Sequence, residues 1–149
     1  DELKDGAEIG IPNDPTNGGR ALLVLQSRGL IKVDPEAGLV VSPLDIIENP
    51  KNIKFIELDA AQLPRSLADL DASAINTNYA LEAGQNRWWQ DVLGWGNDSP
   101  YANVIVTRTQ DKDAPWVKTL VEAYHDDAVR EFIETKYQGS VIPVFKISE

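Results

Sequence analysis

A chain of 149 residues, 42% hydrophobic and 26% charged, has material for one domain or two small lobes of ordinary soluble composition. Its net charge of −10 argues against nucleic acid, whose backbone needs a basic face, and leaves no polybasic segment for anionic lipid. Cysteine is absent, which excludes disulfides and thiolate chemistry within these residues, and no apolar run approaches the ~18 residues of a membrane span. No signal-peptide pattern opens the chain and it has no methionine, so a processed chain or a piece of a longer one is expected.

Residues 1–6, DELKDG, read as one turn of helix ending at Gly6. AEIGI then forms a strand, stopped by Pro12, which has no N–H for a ladder. Asn13 to Gly19 is turn chemistry: Asp14-Pro15 initiates a turn, and Gly18-Gly19 accept positive φ or close backbone approach. A helix is expected from Arg20, because Ala21, Leu22, Val24 and Leu25 share one face, with Gly29 as its stop. A cation in the first helical turn opposes the helix dipole, at about 0.3–1 kcal/mol. An anion bound there offsets this, since free N–H groups and a guanidinium fork both suit a carboxylate or phosphate. A solvated surface arginine is the plainer reading, just as Asn13, Thr16 and Asn17 are also ordinary turn and cap residues.

Residues 30–41 hold two short apolar runs split by Asp34-Pro35 and Gly38, an excursion or a loop between short strands; Pro43 and Asp45 open a turn that Asn49-Pro50 closes. IKFIEL at 53–58 alternates as a strand. Asp59 to Leu70 is helical in parts, with Pro64 starting a second short helix. ASAIN at 72–76 reads as a buried central strand, and Asn78 as the N-cap of a short helix ended by Gly84. Asn76 and Asn78 then lie at the carboxyl end of a strand, the edge where open α/β sheets bind ligands.

Gly84 to Ser99 is a polar loop carrying Trp88, Trp89 and Trp95, either satellite packing or a partner surface. YANVIVT at 101–107 predicts a strand. Asp113 and Pro115 open a helix, and a further helix follows His125-Asp126-Asp127 and runs to Gly139. VIPVF at 141–145 is an edge strand or a packed tail.

Alternating strands and helices make the class α/β with an at least partly parallel sheet. Catalytic machinery is thin. The single histidine, His125, sits in an acidic junction and reads as a cap rather than a catalyst or metal ligand. No Walker loop, dinucleotide fingerprint or GxSxG elbow occurs. What remains is a set of neutral amides, Asn13, Asn17, Asn76, Asn78 and Asn103, with one arginine, a set that binds without reacting. No cofactor, metal or enzymatic activity is expected.

Four blocks, PNDPTNGGRALLVLQSRGLI, AINTNYALEAG, DSPYANVIVTR and FIETKYQGSVIPVF, together resemble the NlpA lipoprotein family, the methionine-binding proteins of bacterial ABC importers. The resemblance implies a type II periplasmic-binding-protein fold, with a mixed, mostly parallel sheet flanked by helices and two lobes closing over an amino acid. It implies that Arg20 pairs with the ligand carboxylate and that Asn78 and Asn103 hydrogen-bond its amino and carboxylate groups; Asn13 and Asn17, from the amide set above, are counted as ligand-binding candidates with them. Residues 1–103 would then be the second lobe, and 104–149 a returning segment that completes the first. The implied partners are methionine or a related amino acid or methionyl dipeptide, and the importer's transmembrane subunits. The implied location is extracytoplasmic, held to the membrane only by a lipid anchor outside these residues. QNRWWQDVLGWGN departs from the family's pattern.

Overall fold

The computed structural model describes residues 3–84, 102–137, 139 and 141–145, divided between two compact units, Asp1–Gly94 and Trp95–Glu149. The tryptophan loop lies outside the described residues.

The first unit is built on strand β1, Glu8–Pro12. It runs parallel to β4, Lys54–Leu58, from Glu8 opposite Lys54 to Pro12 opposite Leu58. On its other side it pairs in parallel with β5, Ala72–Ser73. The order β4-β1-β5 makes β1 the centre of this sheet. The expectation of a central strand at 72–76 is thus corrected: β5 is two half-buried residues at the edge. Of the described strands, only β1 alternates large apolar side chains, Ile9 and Ile11, on a fully covered face. Pro12 does not stop β1 but closes it as the last paired residue, and the Asn13 N–H continues the ladder to the Leu58 carbonyl at 2.8 Å. The helical turn expected at 1–6 is a hydrogen-bonded turn in the described part, with Gly6 at φ +70°.

Helix α1, Pro15–Ser27, covers one face of the sheet with Ala21, Leu22 and Leu25, which pack with Ile9, Ile11, Ile31, Val33, Val41 and Ile53. Burying a side chain such as Leu22 contributes roughly 1.5–3 kcal/mol. The other face carries Leu63, from the short helix α2, Leu63–Ser66, and Leu70, both packed over Gly10 so closely that a Cβ there would meet them at 3.0 and 2.8 Å. Antiparallel β2, Lys32–Val33, and β3, Ile46–Glu48, form a small second sheet. Between them stand two single 3-10 turns, Pro35–Ala37 capped by Asp34 and Pro43–Asp45 held by a Ser42/Asp45 capping box.

The start of α1 is a second correction. The helix begins five residues before Arg20, because Asp14 caps it by accepting the Asn17 N–H at 2.9 Å and Pro15 takes the first helical position with its φ already set. Two glycines inside a helix cost about 1 kcal/mol each, but here both are required. A Cβ on Gly18 would lie 2.6 Å from the Pro12 carbonyl oxygen, and one on Gly19 would lie 2.7 Å from that of Leu39. At the far end the Gly29 N–H bonds the Gln26 carbonyl and the Leu30 N–H that of Leu25, with Gly29 at φ +70°, a Schellman stop. Helix α3, Thr77–Glu82, is capped at position Asn76, not Asn78.

In the second unit, residues 102–107 make no strand ladder, contrary to expectation, and Val104 and Val106 are 76% and 82% exposed. A β-branched run favours extended backbone but becomes a strand only against a partner. Helices α4, Pro115–Tyr124, and α5, Asp127–Tyr137, follow the predicted spacing. Residues 141–145 form a packed tail rather than an edge strand: Phe145 stacks on His125 at 5.0 Å with the rings parallel, and Arg130 lies 4.9 Å over the same ring while donating to the Phe145 carbonyl at 2.6 Å. His125 closes α4, its N–H shared between the Val121 and Glu122 carbonyls.

Candidate functional site

The carboxyl ends of β1 and β5 bring together Asn13, Asp14, Asn17 and Asn76. Asn17 donates its side-chain NH2 to both oxygens of Asp14, at 3.1 and 3.0 Å. Its own carbonyl accepts the NH2 of Asn76 at 2.7 Å, across 59 residues of sequence. That bond joins the first turn of α1 to the cap of α3. Asn76 makes no side-chain cap bond, and its Oδ1 is shielded from solvent with no hydrogen-bond partner among the described residues. A buried carbonyl left so costs about 1–3 kcal/mol. Asn17 backbone N–H donation, followed by its side-chain amide, holds the Asp14 carboxyl below the usual carboxylate range.

Arg20 is half-buried on α1, three residues after Asn17 and therefore on the face that carries the bond to Asn76. As the sixth helical residue it lies beyond the first turn, so the dipole argument for an anion at Arg20 does not hold. Asn13 is exposed beside the cap, and Asn78 is exposed at the second position of α3. Asn103 is exposed in the second unit. Sequence reasoning singled out Asn17 and Asn76 but missed their bond and the capping role of Asp14. The signal for the cap was there, an Asp before Pro with Asn three residues on.

A cavity of about 260 Å³ opens beside the start of α1, lined by Pro12, Asn13, Asp14, Gly18, Gly19 and Glu57 among others. A larger one, about 460 Å³, lies at the opposite, amino end of the sheet. Four of its charges are paired, Lys4 with Asp71 at 2.6 Å and Lys54 with Glu8 at 3.5 Å, and Asp69 adds a further carboxylate. The Lys4 hydrogen bond and the Glu8 N–H lower the Asp71 carboxyl, and Asp71 in turn raises Lys4. The carboxyl edge therefore offers the better site. Among the described residues no group of three or more His, Asp or Glu could hold a metal ion, and no helix is long and apolar enough to cross a membrane.

The family model described as NlpA lipoprotein matches residues 1–145. The chain belongs to the NlpA lipoprotein family. It is 49% identical over 144 residues to the D-methionine-binding lipoprotein MetQ of Salmonella typhimurium, covering 95% of this chain and 53% of that relative. The corresponding protein of Escherichia coli K12 is 46% identical over the same shares. The chain spans about half the length of these NlpA relatives. Among solved structures it is similar to a nutrient binding protein from Burkholderia cenocepacia bound to methionine, with TM-score 0.85 and 49% identity over 97% of this chain and 61% of that one. It is similar too to a periplasmic substrate-binding protein of an ABC transporter from Coxiella burnetii, at TM-score 0.84 and 46% identity, over 95% of this chain and 60% of that one. The fold is therefore the expected α/β substrate-binding fold of NlpA proteins, with a mostly parallel sheet flanked by helices.

Proposed function

We propose that this chain is the ligand-gripping part of a methionine-binding protein serving a bacterial ABC importer. One observation carries the reading: nearly the whole chain superposes, at 49% identity, on a protein whose structure holds methionine. In this reading Arg20 takes the ligand carboxylate, a charge-assisted bond of roughly 1.5–3 kcal/mol. Asn78 and Asn103 bind the amino and carboxylate groups, with Asn13 and Asn17 at the edge. The partnerless Asn76 Oδ1 supports adding Asn76, as an acceptor for the ligand ammonium. Reaching that shielded oxygen takes a side-chain shift of the kind common on binding. Residues 1–103 act as the second lobe and 104–149 as the segment returning to the first. The protein is a carrier, not an enzyme. It works outside the cytoplasm, delivering to the importer's transmembrane subunits, with a lipid anchor outside these residues.

A ligand panel measured by thermal shift on the full-length protein tests this. Methionine should give the largest rise in melting temperature, above other apolar amino acids and methionyl dipeptides. A dipeptide or a different amino acid in first place would reassign the ligand, and no response to any would remove the reading.

A further inference from the structure

Asp14 and Asn17 bond to each other at the start of α1, and the hydrogen bonds between them run in one direction only. A carboxylate can only accept, so Asn17 must turn its NH2 toward Asp14. Its carbonyl then faces Asn76, and only the NH2 of Asn76 can satisfy it. Asn76 is thereby obliged to hold its carbonyl oxygen on the far side, where that oxygen has no partner. An amide in isolation could flip; this one cannot without losing its bond to Asn17 and setting one carbonyl oxygen against the other.

We propose that Asp14 and Asn17 are positioning residues, a relay from a fixed carboxylate through two amides that orients Asn76 to present an acceptor, and not a donor, to a ligand amine. This rests on the reading of Asn76 as an ammonium contact. The same relay ties α1, which bears Arg20, to the cap of α3, so both ends of an amino acid would be held by one connected frame.

Asp14→Asn discriminates between orientation and simple folding, because asparagine caps helices as well as aspartate does but can also donate. In the full-length protein, this variant should melt close to wild type without ligand yet bind methionine about tenfold more weakly by calorimetry. With N-acetylmethionine, which has no ammonium, the difference between wild type and variant should disappear. Asn17→Leu, which cuts the relay in its middle, should repeat the ligand pattern at a lower melting temperature, because the Asn76 NH2 loses its acceptor. Unchanged methionine affinity, or an equal loss with both ligands, would overturn the proposal. Should the wild type fail to bind methionine, the functional reading falls by itself. The relay is then judged in ligand-free protein by NMR: side-chain NH2 signals of Asn17 and Asn76 that shift together in Asp14→Asn support it, and unmoved signals overturn it.

Discussion

Replacing Gly19 by alanine places a methyl group where the chain has left no room. The new Cβ would sit 2.7 Å from the Leu39 carbonyl oxygen, 3.1 Å from the Val41 nitrogen and 3.2 Å from the Val41 oxygen. All three are backbone atoms, so no rotamer change relieves them, and the strap at 39–41 has to retreat by several tenths of an ångström. That retreat loosens Val41, which is buried in the core beneath. Overpacking costs roughly 1–3 kcal/mol, and a 2.7 Å approach to a backbone oxygen belongs in the upper part of that range, about 2–3 kcal/mol, against a gain of about 1 kcal/mol from alanine's better helix propensity. The net expectation is a loss of about 1–2 kcal/mol, or a melting temperature lower by roughly 3–6 °C for a protein of this size. Urea denaturation followed by circular dichroism measures it. A variant as stable as wild type, or more stable, would show that the close approach of strap and helix does not exist.

Other positions give separate checks. Gly29→Ala meets no atom within 4 Å but must adopt φ +70°, so it should cost about 1–2 kcal/mol through backbone strain alone, read from the same urea curves. Asn49 both donates to the Ile53 carbonyl and accepts its N–H, each at 2.9 Å, so Asn49→Ala should lose about 1–3 kcal/mol and speed exchange of the Ile53 amide. Asp14→Ala should cost about 1 kcal/mol as a lost cap. Because folding depresses the Asp14 carboxyl, its contribution is complete above the unfolded value of about 3.9 and fades as pH falls through the lower folded value. Wild type should therefore lose stability below about pH 4 more steeply than Asp14→Asn, and parallel curves would contradict this.

Much of the first unit was legible because its signals are local. Ile9 and Ile11 alternate, Leu22 and Leu25 recur on one face, and Gly29 sits where only a left-handed residue ends a helix well. The start of α1 was not legible, since Gly18-Gly19 reads as a turn until Pro12 and Leu39 are seen pressing against it. The same tertiary fact removes the dipole argument for Arg20 and leaves its guanidinium fork and the family relationship to support a carboxylate. The run at 104–106 has strand propensity that its exposed setting does not fulfil. Asn76 shows the limit most clearly: the cap position was expected at Asn78, and the partner of Asn76 stands 59 residues away.

In the proposed reading Arg20 grips the carboxylate of methionine. Calorimetry on full-length wild type and Arg20→Ala, with methionine and with methioninol, in which the carboxylate is replaced by an alcohol, isolates that contact. A charge-assisted bond of roughly 1.5–3 kcal/mol predicts that Arg20→Ala binds methionine about 10- to 100-fold more weakly. For methioninol the two proteins should differ little. Equal methionine affinities, or the same loss for both ligands, would contradict the assignment.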